Sequence, residues 1–412
     1  MEADFAIRLA EKFETPFYAY DLGEVQQRTQ ELRAALPSGA RLLHSFKANP
    51  LPAVAEQIRL GGASAEITSD GELEAARLAG HDLREALYGG PGKTTREITS
   101  ALAAGVRWFS CESWLDLQRL SGAAEQAGVD VQILLRVNPA EAPQARLAMT
   151  GVESQFGFDE SLLLTADARA RLNLPGIKIR GVHVYFGTQV ASVEAIAQNT
   201  RRALETALRL ETALGFVCSM VNAGGGFPWP YANHAPTPDL SGMQAALTAV
   251  WQESPLHETA ELWFEAGRFL CASSGSLVSR VLDVKPSRTR TFVVLDTGIH
   301  HLGGMAGLGR IPRSAVTFQN LSQQGGAEIT ADIVGPLCTP LDSLARGVKM
   351  PSVAPGDLLA VPNVGAYGLT ASLIGFLSHP TPTEIACLHG EVVQVWQWRT
   401  GHQQLSTAPS SL

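Results

Sequence analysis

Two rhythms alternate along residues 22–270. Short apolar runs with strand character occur at 41–47, 63–69, 85–90, 106–111, 131–137, 179–186, 219–223 and 261–265. Between them, at 51–60, 71–78, 94–103, 114–127 and 193–214, apolar residues recur every three or four positions and predict amphipathic helices. These helices end on or just before Gly61, Gly80, Gly105, Gly128 and Gly215. Eight strands with helices between them predict an α/β fold, a closed (β/α)8 TIM-like barrel over residues 22–270. An open doubly wound sheet competes; the number of units and the length favour the barrel.

Beyond residue 270 the helical rhythm stops. Runs at 277–284, 291–296, 331–334, 357–361, 383–388 and 390–398 read as strands divided by Gly and Pro turns. A second, all-β domain is therefore expected over 271–412. The chain opens with a short helix and an aromatic-rich, alternating strand near residues 15–21. That strand is expected to join the β-domain, which then comprises 1–21 and 271–412. The polar tail from Gln403 is expected to fray.

With 412 residues, 45% hydrophobic and 17% charged, the chain can build two substantial cores. Its net charge is -8 and it has no basic block, which argues against a nucleic-acid partner. No apolar run reaches the length of a membrane span, and the N-terminus lacks the basic-then-apolar order of a signal peptide. The five cysteines, Cys111, Cys218, Cys271, Cys338 and Cys387, are far apart and show no metal or redox spacing. They read as free thiols of a cytoplasmic protein, with no metal site.

Chemistry enters at His44-Ser45-Phe46-Lys47-Ala48-Asn49-Pro50, where the first barrel strand runs into a lysine and breaks at Asn-Pro. Burying an ammonium costs several kcal/mol unless it is neutralised, roughly speaking. Condensation with an aldehyde cofactor would neutralise it; a surface lysine past a strand end is the plainer alternative. Barrel active sites gather at the C-terminal ends of strands, and phosphates favour the loops after strands seven and eight. Asn222-Ala223-Gly224-Gly225-Gly226-Phe227 follows strand seven, and Glu265-Ala266-Gly267-Arg268 follows strand eight. Consecutive glycines expose backbone N–H groups to an anion, and Arg268 offers a bidentate fork. A tight turn explains the glycines as well. A phosphate beside a lysine points to pyridoxal 5'-phosphate. Glu265 would then face the pyridine nitrogen and keep it protonated, unless it simply pairs with Arg268.

With these residues in place, the chain resembles the fold-type III pyridoxal-phosphate decarboxylases, which include the diaminopimelate and ornithine decarboxylases and share the alanine racemase-like barrel. The resemblance runs through HSFKANP (44–50), SDGEL (69–73), RVNP (136–139), QFGF (155–158), HVYFGTQ (183–189), GGGF (224–227), EAGR (265–268), GPLCTPLD (335–342) and GAYG (365–368), all in family order. It implies that Lys47 carries the cofactor and that Gly226, with Gly225 beside it, Gly267, Arg268 and Tyr367 hold the phosphate. It implies that Glu265 meets the pyridine nitrogen. Cys338 would come from the other subunit of a homodimer with shared active sites and return a proton after carbon dioxide leaves.

Two positions depart from the family. Its usual H-x-H-x-G-S pattern reads here as His183, Tyr185 and Thr188, so a tyrosine stands where a histidine stacks on the cofactor. Tyrosine offers a flat face but no cation. Diaminopimelate decarboxylases carry a glutamate after the partner cysteine; here that residue is Thr339, with Asp342 a displaced acidic candidate. The spelling resembles most a secondary-metabolism branch acting on conjugated amino acids. That branch includes the butirosin-type decarboxylase of glutamate on an acyl-carrier protein and decarboxylases of siderophore pathways. The glycine-rich loop 300–310 ends on Arg310, with Arg313 close behind, and either meets an anionic substrate or is a solvated loop. Decarboxylation of a free amino acid (diaminopimelate, lysine or ornithine) is the near alternative. A racemase or a non-catalytic relative is the further one. Cys338 argues against the racemase, whose partner-subunit base is a tyrosine.

Overall fold

The computed structural model describes residues 2–139, 147–148, 153–303, 316–322, 326–399 and 401. The chain divides into two compact units. One comprises Leu22–Trp229 with Pro236–Ser273; the other comprises Met1–Asp21, Pro230–Ala235 and Ser274–Leu412.

The first unit is a closed parallel barrel. Its strands are Arg41–Ser45, Ser64–Ile67, Leu87–Tyr88, Trp108–Cys111, Val131–Asn138, Ile177–His183, Met220–Asn222 and Glu261–Ala266. Each pairs in parallel with its neighbour, and the eighth closes on the first through Glu265 opposite Leu43. Serine and threonine caps start several helices: Ser69 accepts from the Glu72 N–H, Ser113 from that of Asp116, and Thr94 forms a reciprocal box with Glu97. The longest helix, Val193–Leu214, opens on Ser192, buries a stripe including Ile196, Ala203, Leu204, Ala207 and Leu210, and ends at Gly215 with φ 70°.

Side chains alternate along each strand, so residues two apart stack in layers inside the barrel. Leu43, Leu87, Leu134, Met220 and Trp263 pack into a buried apolar floor. Two residues further along the same strands stand Ser45, Arg136, Asn222 and Glu265, and Trp108 leads likewise to Ser110. The barrel thus carries a polar layer directly above its apolar one.

The second unit is a mixed sheet. Strand Phe17–Asp21 pairs antiparallel with Gly275–Ser287 and parallel with Thr383–Leu388. Beyond Gly275–Ser287 the sheet continues through Arg290–Leu295 and Glu328–Val334 to Ser343–Pro351, and Glu391–Gln397 edges the other side. Helix Ala3–Lys12 buries Ala6 and Leu9 against Phe17, Val278 and Ile385. Segment Pro230–Ala235, expected within the barrel, is stitched to this unit by backbone bonds from Ala232 to Asn363 and from Thr317 to Ala232.

Glu384 supplies a pH-sensitive element here. Burial lifts its carboxyl from 4.5 to about 7, although Tyr20 Oη donates to Oε1 at 2.9 Å. The folded chain therefore keeps a proton that the unfolded chain has released. The contribution to stability is full below about 4.5 and is lost as pH rises through about 7. Its size is roughly 3 kcal/mol. Glu384→Gln should narrow the gap between melting temperatures at pH 5 and pH 8; an unchanged gap would assign the slope to other groups.

Candidate active site

The polar layer gathers the site. Glu265, buried, receives a hydrogen bond from Asn222 Nδ2 at 2.8 Å and lies 3.1 Å from His183 Nε2, both on Oε1. Oε2 is thus the oxygen left to meet another group. His183 is held from three sides. Arg136 Nη1 is 3.0 Å from Nε2 and 3.2 Å from Nδ1, and Ser110 Oγ is 2.9 Å from Nδ1. Ser110 is fixed in turn: its carbonyl, those of Gly90 and the Asp116 carboxylate take the buried Lys93 ammonium at 2.7 to 2.8 Å.

The charges sort themselves by environment. Burial by itself raises the Glu265 carboxyl, but its contact with His183 and the cations of Lys47 and Arg136 outweigh that and hold it at about 2. His183 also moves down, first through burial and then through the Arg136 guanidinium. At neutral pH the ring is uncharged and the carboxylate is the ion. Glu66, two residues along from Ser64 on the second strand, behaves oppositely. Burial lifts it to about 7 against the pull of Lys47, and its Oε2 has no hydrogen-bond partner. It is a carboxyl able to give or take a proton near neutrality.

Lys47 differs from the sequence expectation. The strand ends at Ser45, and Lys47 sits in a one-turn 3-10 helix, Phe46–Ala48, with its side chain exposed rather than buried. Its flanks Phe46 and Ala48 are buried, so the lysine alone points out from an apolar anchor. Its Nζ lies 5.5 Å from the centre of the Tyr185 ring, and the Arg136 guanidinium carbon lies at the same distance. Tyr185 therefore presents a flat ring within reach of two cations.

The glycine loop is built on close backbone approach. A Cβ on Gly225 would fall 1.8 Å from the Glu265 carbonyl oxygen, and one on Gly226 (φ 96°) would fall 2.6 Å from that of Gly187. Asn222 Oδ1 takes the Gly224 N–H at 2.9 Å, so the residue that positions Glu265 also shapes this loop. Gly267 packs onto Ala48, beside Lys47, where a Cβ would lie 2.6 Å from that of Ala48. Arg268 starts the short helix Arg268–Cys271, and Thr188 lies in a two-residue strand paired with Leu147–Ala148.

Six expected residues lie in the second unit or outside the described residues. Cys338 is exposed on the turn between strands Glu328–Val334 and Ser343–Pro351. Thr339 Oγ1 accepts from the Leu341 N–H at 3.3 Å. Asp342, expected at the substrate, is instead buried beneath this turn. Its Oδ1 takes the Ile299 N–H and its Oδ2 the Leu337 N–H, each at 2.8 Å. The backbone demands of the turn claim both oxygens. Tyr367 adopts φ 54°, and its carbonyl accepts from Tyr231 Oη at 3.0 Å. Arg310 and Arg313 lie outside the described residues.

Comparison with known proteins finds relatives along most of the chain. The family described as pyridoxal-dependent decarboxylase, pyridoxal binding domain, matches residues 22–272. The L-glutamyl-[BtrI acyl-carrier protein] decarboxylase of Niallia circulans is 34% identical over 389 residues, 93% of this chain and 91% of that protein. The diaminopimelate decarboxylase of Archaeoglobus fulgidus is 32% identical over 87% of this chain and 84% of its own length. The 2-[(L-alanin-3-ylcarbamoyl)methyl]-2-hydroxybutanedioate decarboxylase of Staphylococcus aureus is 29% identical over 89% of this chain and 92% of its own. Crystalline diaminopimelate decarboxylase of Helicobacter pylori shares the fold, with a TM-score of 0.84 over 96% of this chain and 97% of that one, at 24% identity.

The residues fit pyridoxal 5'-phosphate. An exposed lysine, a flat tyrosine face and an ionised carboxylate with one oxygen left to bind share the barrel mouth. The adjoining glycine backbone has no room for side chains.

Proposed function

The chain belongs to the pyridoxal-dependent decarboxylases, and we propose that it removes the α-carboxylate of an L-amino acid whose far end is conjugated, above all a glutamyl group on an acyl-carrier protein. The observation that carries this reading is the turn around Cys338. Thr339 is neutral, and the one carboxylate of the turn, Asp342, is buried with both oxygens taken by backbone N–H groups. The turn offers no anion to the distal ammonium of a free diamino acid. The 34% identity to a carrier-protein decarboxylase supports the same choice. A citrate-linked diamino acid is the second conjugate to consider, supported by the name of the Staphylococcus aureus relative.

Bound pyridoxal phosphate supplies the electron sink that accepts the pair left by the departing carboxylate. Lys47 would carry it covalently. Gly225, Gly226, Gly267, Arg268 and Tyr367 would hold its phosphate, and Thr188 would flank it. Tyr185 would lie against the ring. Glu265, ionised at every working pH and aimed by Asn222 and His183, would keep the proton on the pyridine nitrogen through Oε2. Glu66 would buffer the proton of the Lys47 amine.

Cys338 would return a proton to the α-carbon, acting from the second subunit of a homodimer. Its exposure on a turn supports a role directed outward. Mixing Lys47→Ala with Cys338→Ala subunits should then restore part of the activity that each lacks alone; exchanged subunits that stay inactive would refute shared sites.

The substrate reading is tested by kcat/KM on carrier-bound glutamate, a citrate-conjugated diamino acid, lysine, ornithine and meso-diaminopimelate. A conjugate should exceed every free amino acid by roughly 100-fold or more. A free diamino acid that matches or beats the conjugates would replace this reading with an ordinary amino-acid decarboxylase, which the 32% identity to a diaminopimelate enzyme supports.

A further inference from the structure

A cleft of about 610 Å³ opens beneath the Cys338 turn, on one face of the second unit's sheet. That volume suits an organic ligand of moderate size. Strand register explains its make-up. Lys285 stands opposite Phe292, which stands opposite Asp332; Val294 stands opposite Val334, which stands opposite Ser343. Cross-strand partners share a face, so Phe292, Val294 and Val334 form a half-buried apolar floor. The cations Lys285, Arg290 and Arg346 stand around it. Leu337 and Thr339, the two neighbours of Cys338, complete the lining from the turn.

The charge of this cleft is unbalanced toward the positive. Asp332 pairs with Arg290 and also takes the Gly347 N–H at 2.8 Å. Asp342 turns both oxygens to backbone N–H groups of the turn, which hold it in place and leave three lining cations against two carboxylates. Lys285 and Arg346 make no ion pair among the described residues, and both side chains are exposed. An apolar strip that starts at the Cys338 turn and ends at two exposed cations outside any ion pair among the described residues fits a ligand of matching order. Such a ligand is uncharged and partly apolar for most of its length and carries one anion at the end away from the reacting carbon.

We infer that this cleft seats the phosphodiester-linked pantetheine arm by which an acyl-carrier protein presents its aminoacyl group, an assignment that rests on the substrate reading above. The amide and alkyl stretch lies on Phe292, Val294 and Val334. The phosphodiester meets Lys285 and Arg346, the latter through the donor fork that suits phosphate oxygens. Thr339, neutral and small, lets the arm pass the turn where a carboxylate would repel it.

The test uses 4'-phosphopantetheine and pantetheine themselves, which differ only in the phosphate, titrated calorimetrically into the holoenzyme. Wild type should bind the phosphorylated arm roughly tenfold or more tighter, and that advantage should shrink as salt rises. Lys285→Ala with Arg346→Ala should erase the advantage and leave pantetheine affinity unchanged. Equal binding of the two arms by wild type, or an advantage that survives in the double variant, would overturn the inference. Turnover of aminoacyl thioesters on each arm separates this outcome from failure of the substrate reading. Phosphate-dependent binding without turnover of either thioester would leave the cleft as the arm's anion site and reject the carrier-bound substrate. Turnover of both at equal efficiency, unchanged in the double variant, would keep the substrate and reject the cleft.

Discussion

Lys47→Ala is expected to abolish decarboxylation and to leave the chain unable to bind pyridoxal phosphate covalently. The expected loss in kcat is at least roughly three orders of magnitude, since no other group can assume the bond or the proton traffic at its amine. The structure makes this a clean experiment. Lys47 is exposed, while Phe46 and Ala48 on either side are buried and hold the turn. Removing the side chain should leave the melting temperature nearly unchanged, so inactivity would report chemistry and not unfolding. The local field should respond as well. Lys47 pulls down both Glu66 and Glu265, so its loss moves both carboxyls upward, Glu66 above about 7. A folded Lys47→Ala protein with normal turnover would overturn the site.

Glu265→Gln is the second large effect. The substitution keeps an oxygen for the Asn222 amide and nearly preserves shape, but removes the charge that Lys47, Arg136 and the His183 contact stabilise. Without an ionised partner the pyridine nitrogen would be expected to lose its proton, which would make the cofactor a poorer acceptor for the electron pair left at the α-carbon. A fall in kcat of roughly 10²–10³ is expected, the scale at which a single preorganised electrostatic contact acts. A loss of stability should accompany it, because the His183 contact and the nearby cations Lys47 and Arg136 lose the negative charge they stabilise. Because Glu265 titrates near 2, it contributes no acid limb to the wild-type rate profile. Steady-state rates across pH 5–9 check both points, and a kcat within twofold of wild type would remove Glu265 from the reaction.

The architecture was largely legible because the barrel and sheet rhythms are local. The helices at 114–127 and 193–214 appear where the periodicity places them, with Gly128 and Gly215 as left-handed caps. Strand Ser343–Pro351 escaped because Arg346, Gly347 and Lys349 interrupt its apolar pattern on a solvent-facing stretch. The site was legible at its motifs, Lys47, Glu265 and the glycine loop, and much less so around them. Glu66 and Ser110 lie in none of the motifs, and Arg136 and Asn222, which open RVNP and the glycine loop, were given no role of their own. Counting two positions on from the floor residues Trp108, Leu134 and Met220 would have found Ser110, Arg136 and Asn222. Asp342 shows the opposite limit: an acidic residue four positions after Cys338 looks available in sequence, yet the fold of the turn spends it on Ile299 and Leu337.

The central claim is that the mouth of the barrel at Lys47 is where the cofactor is held and the reaction occurs. Reduction of the holoenzyme with borohydride, followed by proteolysis and mass spectrometry, makes the lysine–cofactor bond permanent and locates it. The account predicts the added pyridoxyl phosphate mass on the peptide containing Lys47, with loss of activity in proportion to labelling. The same mass on another lysine, such as the buried Lys93, with Lys47 unmodified, would contradict it.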